Sequence, residues 1–248
     1  MEATAARRDR VQVGRVVNET LSIYGQNFLV LIGSAIVVFL AVGIVAGLLE
    51  SAGGFILLIL AAIVRLVGFA LYAGFVVKLV SDVRDGRRDQ TVGDLFSSAA
   101  PAIGALIGFA ILFGIGVGIG FVLLIIPGLI LLTLWSVGAP AIVVERVGPI
   151  EAFGRSWNLV RGEAWSVFAT LVVIALIVIA IGIVLGIIAT PIGDGAILAA
   201  SIISNILTAP IFAIAVSVIF FDLGGGEATT AAPAAPAEPP PPPTAPAA

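Results

Sequence analysis

Residues Trp165–Ala189 read WSVFATLVVIALIVIAIGIVLGIIA, twenty-five positions without one charged side chain. At 1.5 Å of rise per residue, a helix of this length spans about 37 Å, more than the roughly 30 Å hydrocarbon core of a bilayer. The stretch therefore reads as a transmembrane helix. Five further apolar runs flank it: Phe28–Leu49, Phe55–Val80, Ile103–Ile126, Leu129–Val144 and Ala196–Phe221. The chain is 60% hydrophobic and only 11% charged, against about 25% charged in soluble domains. These runs predict an all-α membrane protein with six transmembrane helices. The Leu129–Val144 run is short and contains Pro140, so it is expected to be little tilted or partly re-entrant. The Phe28–Leu49 run exceeds the 7–15 residues or so of a signal-peptide core and starts late, so it is expected to be retained.

The basic residues give the threading. Arg7, Arg8, Arg10 and Arg15 form one cluster, Lys78, Arg84, Arg87 and Arg88 a second, and Arg146, Arg155 and Arg161 a third. Two apolar runs separate each cluster from the next. Two crossings return a chain to its starting side, so all three clusters can face the cytoplasm. The intervening connections, Glu50–Gly54, Pro127-Gly128 and Thr190–Gly195, lack Lys and Arg and are rich in Gly and Pro. They are expected to be tight tips on the opposite side, giving three helical hairpins with both termini cytoplasmic.

The inner segments are patterned. Val13, Val17, Leu21, Tyr24 and Phe28 recur at helical spacing, as do Ile150, Phe153, Trp157 and Val160, with polar residues between them. A shorter version is Val92, Leu95, Phe96 and Ala99. Each predicts a cytoplasmic-side amphipathic interfacial helix ahead of a hairpin, with Tyr24 and Trp157 at the boundary. The repeated Val-Gly dipeptides, Val13-Gly14, Val92-Gly93 and Val147-Gly148, fit three copies of one unit. Residues 1–223 thus form the polytopic membrane domain. Residues 224–248 hold Gly, Ala, Pro and Thr with two Glu. They are expected to be a disordered tail, either solubilising or able to dock a partner protein through its proline run.

Composition narrows the chemistry. Cys is absent, which removes disulfides and thiolates, and His is absent, which removes the commonest general base and metal ligand. No catalytic, metal or cofactor site is expected, and nothing points to nucleic acid. The candidate contacts are Arg65, Arg155, Trp157, Arg161 and Asn205. Arg65 is the one basic residue outside the clusters, inside the second span, where charge costs about 2.5–3.5 kcal/mol on insertion scales. It reads either as an anion contact or gate, or as an arginine snorkelling to the outer interface. Ser201, Ser204, Asn205 and Thr208, ahead of Pro210, share a helical stripe. They line a polar path or hydrogen-bond neighbouring helices. Arg155 and Arg161, with Trp157, make either a lipid-phosphate site or the solvated face of an interfacial helix. Gly114, Gly116, Gly118 and Gly120 alternate within an apolar run, where small residues permit close helix packing.

The stretch Leu123–Gly128, Ala139-Pro140, Val144-Glu145 and Glu151–Gly162 (EAFGRSWNLVRG) resembles the membrane domain found beside glycerophosphoryl diester phosphodiesterases and in related bacterial six-helix membrane proteins. The opening Ile23–Phe28 (IYGQNF) is similar to how such domains begin. The resemblance implies a multi-pass protein of the bacterial cytoplasmic (inner) membrane. It does not imply phosphodiesterase activity, since the catalytic domain would be a soluble barrel bearing His and metal-binding carboxylates. The expected function is a non-enzymatic membrane module that organises lipid or a partner protein. The alternative is a transporter or channel for a small or amphiphilic solute.

Overall fold

The computed structural model describes residues 11–86 and 91–226, and among these every regular element is helical. Ten α-helices follow in order: α1 (Val13–Gln26), α2 (Phe28–Ser51), α3 (Phe55–Arg84), α4 (Val92–Ala99), α5 (Ile103–Leu123), α6 (Ile125–Leu134), α7 (Gly138–Glu145), α8 (Pro149–Val160), α9 (Ala164–Ala189) and α10 (Asp194–Asp222). They supply six stretches long and apolar enough to cross a membrane: Phe28–Ser51, Phe55–Arg84, Val92–Leu123, Ile125–Glu145, Ala164–Ile192 and Gly195–Asp222. The expected tail from residue 227 on, and Arg7, Arg8, Arg10, Arg87 and Arg88, lie outside the described residues.

α2 packs along α3, α5 along α6, and α9 along α10. The reversal between α2 and α3 uses Gly53 and Gly54 at φ +73° and +99°, a region that costs glycine least. The α5–α6 reversal differs from expectation. Pro127 and Gly128 lie inside α6, and the chain turns at Leu124, whose backbone is extended. Proline in a first helical turn loses no intrahelical bond, because the first N–H groups have no partner there. Pro140 likewise sits in the first turn of α7, so the fourth crossing is two short helices joined at Trp135–Val137. α4 does not stand apart from the third crossing; it runs into α5 through a 3₁₀ turn at Ala100–Ala102.

Burial divides the molecule along its length. In α3 the buried side chains gather after position 69: Tyr72, Phe75, Val76, Val77, Leu79 and Val80. In α10 they gather after Thr208, running through Ile211, Ile214, Ile219 and Phe220. α1, α4, α7 and α8 pack around this half. The other half, near the tips, carries uncovered apolar side chains, among them Leu48, Phe55, Ile56, Val122, Leu123, Ile126, Ile187 and Ile192. Such a belt is stable only against hydrocarbon.

α1 covers Ile174, Ile211 and Ala215 with Val17 and Tyr24, while Val16, Thr20 and Ile23 are buried. Its buried stripe thus turns onto protein, while Leu21 of the expected apolar face is 43% exposed. In α8 the inward stripe is Ala152, Ser156 and Val160, with Phe153 beside it. Ile150 and Trp157, expected on the same face as Phe153 and Val160, point outward at 77% and 43% exposure. Small side chains let helices approach, and large apolar ones are equally content in lipid.

Candidate functional site

The tip-half site begins with Arg65 on α3. Its Nη2 donates to Glu50 Oε2 at 2.9 Å, and its Nη1 donates to Glu50 Oε1. Glu50 is one residue from the end of α2, so the arginine reaches back toward the hairpin tip. A paired fork costs far less in a membrane than a lone guanidinium. Sequence reading had treated Glu50 as a tip residue. Arg65 also lines an open cleft of about 270 Å³ with Phe39, Val42, Phe69, Ile202 and Asn205. A second cleft of about 250 Å³ continues past Asn205 to Thr208, Phe212 and Ile179. Two of the candidates, Arg65 and Asn205, therefore meet at one lateral opening between α2, α3 and α10. Asn205 Nδ2 donates to the Ser201 carbonyl at 2.9 Å, and Thr208 Oγ1 to the Ser204 carbonyl at 2.7 Å. Both bonds run back along their own helix.

At the packed end, two ion-pair networks join elements far apart in sequence. Arg15 Nη2 donates to Asp222 Oδ2 at 2.7 Å. Arg84 donates to Glu19 Oε1 from both Nε (2.9 Å) and Nη2 (2.6 Å), and from Nη2 to Asp222 Oδ1 at 2.9 Å. The four residues tie α1, α3 and α10 together, and Asp222 is 5% exposed. Hydrogen bonding to Asp222 raises the Arg15 guanidinium above its ordinary value, so it stays charged.

In the second network Arg155 Nε and Nη2 each donate to Glu145 at 2.7 Å. The backbone N–H of Gly226 donates to the same carboxylate at 2.9 Å. Hydrogen bonding to Glu145 raises Arg155 as well. Arg146, in the left-handed conformation at φ 59° after α7, donates to the Ser98 carbonyl at 3.0 Å.

These bonds separate the candidates on and just after α8. Arg155 spends its fork on Glu145. Arg161, at the end of α8, is exposed and has no ion pair among the described residues. Trp157 stands outward one turn before it. Trp165, the second residue of α9, is 81% exposed. It borders an apolar groove of about 420 Å³ between α6 and α9, lined also by Ile126, Leu129, Ile130, Leu134 and Phe168. The sequence held no sign of this groove, which exists where α6 ends early at the break before α7. Among the described residues, no group of three His, Cys, Asp or Glu is placed to hold a metal ion.

No family model, curated protein or solved structure matches this chain.

Proposed function

We propose that the chain is a non-enzymatic membrane module that organises lipid, held in the bacterial cytoplasmic membrane with Arg15, Arg84, Arg146, Arg155 and Arg161 on the cytoplasmic side. In this reading the crossings form three hairpins, and α1, α4 and α8 lie ahead of them at the inner headgroup level. The likeness of EAFGRSWNLVRG to the phosphodiesterase-associated membrane domain belongs to the same proposal. The observation that carries it is the division of labour on α8. Arg155 is consumed by a structural carboxylate, while Arg161, Trp157 and Trp165 are all exposed. An exposed cation within four residues of two exposed indoles matches the headgroup layer, where indole rings settle and anionic phosphate is plentiful. Purification from a native membrane followed by native mass spectrometry tests this. Bound phospholipid that survives detergent exchange supports the module; a protein that comes off bare, in mild detergent, refutes it.

A second reading has its own observation. The paired clefts through Arg65, Asn205 and Thr208 give a polar opening beside an apolar wall, a surface suited to passing an amphiphile. Solute flux from loaded liposomes, abolished by Asn205→Leu, would favour a transporter.

A further inference from the structure

Three features converge at the α6–α9 groove. Its walls are apolar: Ile126, Leu129, Ile130, Leu134, Trp165 and Phe168. The one hydroxyl there, on Thr133, is spent on the Leu129 carbonyl at 2.8 Å. Its volume, about 420 Å³, lies within the 300–1,000 Å³ or so of ligand sites. Ala164 and Trp165 at the start of α9 line it, and Arg161 precedes Ala164 by three residues. Both helices that form it belong to membrane-crossing stretches, so its occupant comes from the bilayer.

Resting on the lipid-organising reading above, we infer that this groove seats an acyl chain of an anionic phospholipid whose phosphate is held by Arg161. A guanidinium offers phosphate two parallel donors, and Arg161 is uncommitted to any described carboxylate, unlike Arg15, Arg84 and Arg155. Trp165, which lines the groove, borders the headgroup. Glu163, two residues beyond Arg161, is half-buried without an ion pair among the described residues. It opposes an anion and sets a limit on the preference.

The chain has three tryptophans, Trp135, Trp157 and Trp165, which makes quenching a direct readout. Trp157→Phe leaves Trp165 at the groove and Trp135, whose ring packs against Gly116 and Phe153. The full chain carrying this change is placed in phosphatidylcholine vesicles with brominated phosphatidylglycerol, or with brominated phosphatidylcholine for comparison. The expected result is stronger quenching by the anionic lipid, with relative binding roughly five-fold higher, the equivalent of one basic residue at an anionic surface. Arg161→Gln brings the ratio near one, Arg161→Lys keeps most of it, and Glu163→Gln raises it. Ala164→Leu fills the groove without touching charge and lowers quenching by the anionic lipid. Equal quenching by the two lipids, or an unchanged ratio in Arg161→Gln, overturns the site. If anionic lipid is nonetheless retained in native mass spectra, the module reading survives while this site does not. Cross-links between copies through Leu129→Cys and Phe168→Cys make a second chain the occupant and also overturn it.

Discussion

Ser156 on α8 donates its hydroxyl to the carbonyl of Leu134 at the end of α6, at 2.8 Å across twenty-two positions of chain. The reason lies in the broken fourth crossing. The N–H of Gly138, which would serve Leu134 in a continuous helix, bonds to Trp135 instead. Leu134 is left with a buried acceptor, and Ser156, itself fully buried, supplies the donor. Ser156→Ala strands that carbonyl at a cost of about 1–3 kcal/mol. The melting temperature in detergent should fall accordingly, whereas Asn158→Ala, an exposed neighbour on the same helix, should leave it unchanged.

The four alternating glycines of α5 should separate into two classes. A Cβ at Gly120 would sit 2.9 Å from the Gly128 backbone, and one at Gly116 would sit 2.6 Å from the Trp135 ring. Gly114 and Gly118 face open space. Gly120→Ala and Gly116→Ala should each destabilise by about 1–3 kcal/mol through overpacking, with Gly120 worse because backbone cannot yield. Gly114→Ala and Gly118→Ala should be neutral or gain up to about 1 kcal/mol from helix propensity. Denaturation of the four variants in one detergent decides it.

Glu50→Gln should reduce membrane insertion and folded yield, because it leaves the Arg65 guanidinium without its carboxylate inside a stretch apolar enough to cross a membrane. Arg65→Leu should be milder, and Glu50→Leu combined with Arg65→Leu should restore the yield. A double variant worse than Glu50→Gln alone would assign the pair a role beyond mutual neutralisation.

Asp222→Asn should loosen α1 from α10. Arg15 and Arg84 both bond to this carboxylate, which is nearly buried, while the arginines are partly solvated. The loss lies between that of a surface pair and that of a buried one, about 2 kcal/mol. It should appear as faster proteolysis of the N-terminal segment, with the six crossings still inserted.

The proposed threading is checked with single cysteines, since the natural chain has none. Ser51→Cys and Ile192→Cys should react with an impermeant thiol reagent added to intact cells, and Ser97→Cys only after permeabilisation. Gly193 is a poor probe site because its φ of +117° disfavours any side chain. Labelling of Ser97→Cys in intact cells would invert the scheme.

The six crossings were legible because length and hydropathy alone mark them: Trp165–Ala189 grew only to Ala164–Ala189 as a helix. The close approach at Gly116 and Gly120 was legible too, from small-residue spacing. The inward face of α8 was not. Helical spacing puts Phe153 and Trp157 on one face, yet Phe153 packs on protein while Trp157 faces out, and the packed stripe is Ala152, Ser156 and Val160. Of the candidate residues, Arg65 and Asn205 were found without their shared cleft, and Arg155 without Glu145. Ion pairs such as Glu19–Arg84 and Arg15–Asp222 join positions 65 and 207 residues apart, and no local period encodes such a match.

The clasp of α1 on α10 also orders events in time. Arg15 and Arg84 belong to α1 and α3, but the carboxylate they share, Asp222, is the last residue of α10. A chain threaded only as far as α3 leaves Arg15 and Arg84 to share Glu19, without the second carboxylate of the network. Only when the sixth crossing is threaded does the closing carboxylate arrive. The first helix is thus a latch that α10 sets, and a chain cut before residue 222 should leave α1 without its hold on the bundle.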